Sequence, residues 1–186
     1  MILNILSAQS LIEDYNNEYE KMKVEKLKVY RVVPFDEKVK VGEPAIPHKW
    51  EVKGEFKQKM ENALELYRPK EYPPRDKCLY VCFSKDNAYE WAQIKYANLH
   101  RHIAYKLLTL EVTGELYWFM AEHYNLLRKD CTQEELCKAC SSYWASMKEN
   151  IADLIIGKEY EGLFVGENKI VDIKYKNFIN GESQDV

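Results

Sequence analysis

The chain has no apolar run near the roughly 18 residues that a membrane span requires. It also has little net charge. Lys+Arg 27 against Asp+Glu 30 gives a formal -3, so composition does not draw it non-specifically to nucleic acid or to an anionic membrane. Three fingerprints are missing: G-x-S-x-G, the P-loop and G-x-G-x-x-G. Their absence removes the local signatures of α/β-hydrolases, P-loop NTPases and classical dinucleotide folds. The opening MILNILSAQSLIEDYNNEYEKMK has no basic n-region and turns acidic at once, so it is not read as a secretory signal. Five cysteines, at 78, 82, 131, 137 and 140, are an odd number. They read as free thiols in a reducing, cytoplasmic compartment. Cys137 and Cys140 form a Cys-x-x-Cys with no second ligand pair, and His100 and His102 lie only two apart. No metal is expected. The pair also falls inside a helix rather than at its start, which argues against redox work.

What is present is globular. Hydrophobic residues at 46% and charged residues at 31% in a chain of 186 suit one domain with a small appendage. The excess is aromatic: Tyr 14 and Trp 4 are more than a minimal core needs. Such amphipathic rings commonly line clefts.

Along the chain, apolar spacing predicts a helix over 1–26, then a domain over 27–180 and a frayed tail over 181–186. KLKVYRVVPF, 26–35, reads as a strand, with Val33 held extended by Pro34. Residues 36–54 read as an irregular loop, 56–68 as an amphipathic helix and 68–77 as a proline-rich loop. CLYVCF, 78–83, reads as a buried strand, followed by a helix from 86 to 99 with Ser84 and Asp86 at its start. YKLLTLEV, 105–112, is a strand broken by Gly114, and ELYWFMAEHYNLLRK is ambiguous. Thr132 and Glu135 form a capping box that opens a helix to about 150. GLFVGENKIVDIKY reads as a hairpin, with strands at 162–165 and 169–175 about a Gly-Glu-Asn turn. Strands and helices in this mixture argue α+β rather than a βαβ series.

Three stretches hold residues that can do chemistry. Arg31 follows Tyr30 near a strand end, where a guanidinium can clamp phosphate or ribose oxygens, or simply lie in solvent at an edge. Cys82-Phe83-Ser84 joins a tight strand to a capped helix, which offers backbone N–H groups to a ligand, or only an ordinary cap. Glu159 and Glu161 share a face at strand spacing. Two such carboxylates can stabilise a cationic sugar and orient a nucleophile, or merely open a solvated strand.

In that order, Tyr30-Arg31, Cys82-Phe83-Ser84 and Glu159-Tyr160-Glu161 resemble the ADP-ribosyltransferase superfamily, in its toxin-like Arg, Ser-Thr-Ser, Glu branch. The match covers roughly 27–35, 78–92 and 155–175, and a bacterial or phage member of the fold is implied. The resemblance implies a mixed, twisted β core flanked by helices, and an NAD-dependent transfer of ADP-ribose to a macromolecular acceptor. Glu-x-Glu implies protein arginine as that acceptor. Arg31 would hold NAD, and Ser84 would shape the nicotinamide pocket. Tyr80 or Phe83 would stack on nicotinamide. Glu161 would stabilise the oxocarbenium-like state while Glu159 orients the acceptor. The sequence departs from the pattern at Cys82, at Phe83 and at Gly162 after the glutamate. The enzyme reading needs Arg31, Ser84 and Glu161 in one cleft. Two other readings do not: a non-catalytic nucleotide- or protein-binding module, and an interaction protein that docks through its N-terminal helix.

Overall fold

A computed structural model describes residues 22–47, 54–96, 103–125, 127–148, 160–179 and 182–185. Residues 1–21 of the helix predicted over 1–26, the ends of two later helices and Glu159 lie outside these residues.

Strand β1, Met22–Pro34, begins inside the segment read as helix. Met22 and Val24 alternate inward like a strand and ladder to Leu116 and Gly114, so long-range pairing overrides the helical spacing. Helix α1, Glu55–Leu66, buries Ala63 and Leu64. β2, Leu79–Val81, leads into α2, Lys85–Tyr96. Ser84 caps α2, its Oγ accepting from Asn87 N at 3.0 Å. β3 runs from Ile103 to Met120. One helical turn, α3 (Glu122–Asn125), precedes α4, Gln133–Ala145, which the Thr132–Glu135 capping box opens as expected. A 3-10 turn at Ser146–Lys148 follows α4. β4, Tyr160–Ile179, and β5, Glu182–Asp185, complete the chain.

Two punctuation marks in the sequence do not act as such. Gly114 does not end β3, and Gly166-Glu167-Asn168 is not a hairpin turn: β4 passes straight through it. Gly114 pairs with Gly166, and a Cβ on Gly114 would lie 2.4 Å from the Val165 carbonyl oxygen. A Cβ on Gly166 would lie 2.5 Å from that of Thr113. The glycines permit a close approach of two long strands. Asn168 is also held from outside, accepting from Ala45 N at 2.7 Å. The expected frayed tail pairs instead as β5 on the end of β4, because that edge offers unpaired backbone groups.

The sheet order is β1-β3-β4-β2, with β5 on β4, and each ladder is antiparallel. β2 returns to β1 through one bridge, Tyr30 to Cys82, with N–H···O distances of 2.8 and 2.7 Å. The twisted sheet thus curls until its edges touch. Its inner face holds Val29, Val33, Val81, Leu110 and Phe164. Its outer face is covered in two places. α2 packs over Cys82 and Leu107 through Ala88, and α1 and α4 pack over Tyr117, Phe119 and Leu163 through Leu64, Leu136 and Tyr143. This is the α+β architecture of a twisted β core with flanking helices.

Candidate functional site

The ladders join the three chemistry-bearing stretches. Leu79 to Val81 pair with Phe164 to Gly162, so Cys82 continues that register opposite Glu161, while Tyr30 bridges Cys82 on its other side. Tyr30, Cys82 and Glu161 therefore form one cross-strand row over β1, β2 and β4, and their side chains share the outer face. Arg31 is one residue out of that row. By alternation it stands on the inner face with Val29 and Val33.

The proline-rich stretch before β2 is a bracket rather than a slack connector. Arg68 donates to the Tyr72 carbonyl at 2.5 Å and to Glu65 Oε1 at 2.8 Å. The Tyr72 ring stacks on Trp144, centroids 5.7 Å apart, and meets Phe119 edge-on at 5.2 Å. A 3-10 turn at Arg75–Lys77 then aims Arg75 at the outer face, where its residue is 3% exposed. There Arg75 Nη1 donates to Glu161 Oε1 and to the Tyr143 hydroxyl, and that hydroxyl donates to the same Oε1. Tyr124 donates to Glu161 Oε2 at 3.1 Å. On the outer side, Arg75 Nε meets Glu61 Oε2 at 3.2 Å. The rings of Tyr143, Tyr80 and Tyr124 surround the guanidinium carbon at 5.1, 5.2 and 5.6 Å.

The electrostatics follow from burial and this pairing. Burial is the largest single influence on the Arg75 pKa and lowers it, but Glu161 together with Tyr143, Tyr80 and Tyr124 outweighs burial and raises it well above the usual arginine range. Burial raises the hydroxyls of Tyr80, Tyr124 and Tyr143, so they stay neutral donors. Cys82 is raised by burial first and then by Glu161, while Arg31 opposes the rise. Both charged residues thus act on the same thiol. Arg31 itself is lowered by burial, partly offset by Glu37. Its Nη1 is buried with no hydrogen-bond partner among the described residues.

A family model matches the chain over residues 7–176, from before β1 to within three residues of the end of β4. The chain belongs to the DUF2441 family. The family's description is that of a protein of unknown function. No curated protein matches the chain. No helix among the described residues is long and apolar enough to cross a membrane, and none of their His, Cys, Asp and Glu side chains group to hold a metal.

In this DUF2441 chain, Tyr80 and Glu161 meet at Arg75. Phe83 packs at the inner core, edge-on to Trp118 at 6.5 Å. Ser84 is exposed at the head of α2. Arg31 on β1 and Glu161 on β4 lie on opposite faces of the sheet, so Arg31, Ser84 and Glu161 do not share one cleft. Sequence reasoning missed Arg75, Tyr124, Tyr143 and Glu61. The available signal was an arginine after two prolines and just ahead of a strand, where a loop charge needs no reason to be buried.

Proposed function

We propose that this chain uses NAD as substrate and transfers its ADP-ribose to a macromolecular acceptor, with protein arginine the acceptor that the Glu-x-Glu pattern favours. The observation that carries the reading is the row Tyr30–Cys82–Glu161: the three separated stretches of the series are direct neighbours. Among the described residues, one bridge holds the seam beside them. In this reading the bond from the ribose C1′ to the nicotinamide nitrogen breaks, and its electron pair leaves with neutral nicotinamide. The positive charge left on the sugar is met by Glu161. The acceptor nucleophile bonds to C1′ and passes its proton to Glu159.

A second reading is favoured by one observation: both Glu161 oxygens already accept internal hydrogen bonds. In it, the same seam binds a nucleotide or a protein without turnover. Purified protein incubated with NAD, read by nicotinamide release, separates the two. Glu161→Gln should lower turnover by about 10²–10³ while NAD still binds, because one electrostatic stabiliser of the transition state is lost. Glu159→Gln should impair transfer more than hydrolysis, and Arg31→Lys should weaken binding, since an ammonium lacks the bidentate fork. Binding of NAD with no turnover in the wild type would leave the module reading.

A further inference from the structure

We infer that Arg75 is the positioning residue for the Glu161 carboxylate; this rests on the transfer reading above. An ionised carboxylate has about four lone-pair sites over its two oxygens. Oε1 accepts from both Arg75 Nη1 and the Tyr143 hydroxyl, so it is filled. Oε2 accepts from Tyr124 at 3.1 Å. The carboxylate is thereby both fixed in rotation and directed.

The support behind Arg75 is rigid. Backbone bonds close the turns that carry it, Tyr72 N to Pro69 O at 3.1 Å and Lys77 N to Pro74 O at 3.0 Å. The stacked Tyr72 and Trp144 anchor the bracket in the outer core. Charge is arranged to suit. Two carboxylates, Glu61 and Glu161, share one guanidinium, and in the transfer reading Glu161 faces a sugar that becomes cationic. A carboxylate pinned in place needs no reorganisation as that charge develops.

The test compares wild type, Arg75→Lys and Tyr143→Phe by steady-state NAD turnover, with NAD affinity measured by calorimetry. Tyr143→Phe removes one donor to Oε1 with little change of volume, and its melting curve checks the fold. Both variants should lower kcat by about 10–10², the scale of a misplacement near 1 Å. NAD affinity should stay within about threefold of wild type, because positioning does not hold the ground state. A purely structural role would instead leave folded Tyr143→Phe at full kcat, or would reduce affinity and kcat together, and either result overturns the inference. Wild-type protein that binds NAD without releasing nicotinamide overturns the transfer reading itself, and the positioning role with it. That failure is distinct because it shows before any variant is made.

Discussion

The two faces of the curled sheet each bury an arginine, and they treat it differently. On the outer face, Arg75 faces Glu161, Glu61 and three tyrosine rings, and its charge is fully answered. On the inner face, Arg31 shares its side of β1 with Val29 and Val33 and feels the charge of Glu37, but its buried Nη1 has no hydrogen-bond partner among the described residues. Both residues are over nine-tenths buried, at 3% and 6% exposure, so burial alone does not distinguish them. Partners do. A saturated buried ion pair holds neighbouring groups in one arrangement. An unsatisfied buried donor costs stability and is kept only where something else employs it, such as a ligand.

The largest effect should come from breaking the outer pair. Arg75→Met leaves Glu161 buried without its cation and should cost about 3–5 kcal/mol in urea unfolding. A loss below about 1 kcal/mol would mean that the tyrosines alone satisfy the carboxylate, and the contrast between the faces would weaken. A smaller effect of opposite sign is expected inside. Arg31→Met removes an unpartnered buried donor and should raise stability by about 1 kcal/mol, while weakening NAD binding in calorimetry. If the same swap destabilises the protein by as much as Arg75→Met, Arg31 is a structural partner and the two arginines are alike.

The smallest effect concerns thiols, which sharpen the contrast because they belong to the outer core. Burial moves Cys78 from 9.0 to about 12 and Cys140 from 9.0 to about 11. Unfolded thiols ionise near pH 9, whereas these two stay protonated in the fold. Above that pH the unfolded chain therefore binds fewer protons, and stability falls as pH rises. The contribution is intact below about pH 9 and is lost as pH climbs toward 11 and 12. At pH 9 the loss is about half a kcal/mol per thiol. Urea midpoints taken from pH 7 to 9.5 should decline in the wild type, with a shallower decline in a Cys78→Val, Cys140→Val variant. Equal slopes would place the alkaline sensitivity elsewhere.

Local chemistry was legible wherever short-range forces decide. The capping box at Thr132 and Glu135, the Ser84 cap and the strand through Val29 and Val33 depend on neighbours within a turn or two. The presumed break at Gly114 and hairpin at Gly166 misled because local propensity gave way to a partner some fifty residues away. The site divided along the same line. Tyr80 and Glu161 were readable as a ring and a carboxylate with chemical potential. Arg75 was not, since a loop arginine after two prolines is ordinarily solvated.

The order of residues by itself determined the helical caps, the alternating faces and the types of side chain available to the β1–β2 seam. Only the tertiary structure decided which of those side chains meet. Closure of the sheet through Tyr30 and Cys82 set Tyr30, not Arg31, in the row with Glu161. A strand period of two sends adjacent residues to opposite faces, so one position of register separates a neighbour from a residue across the sheet. Arg75 became the partner of Glu161 because the bracket of residues 68–78 packs on Trp144 and Phe119, and sequence spacing carries no record of a contact between residues 86 apart.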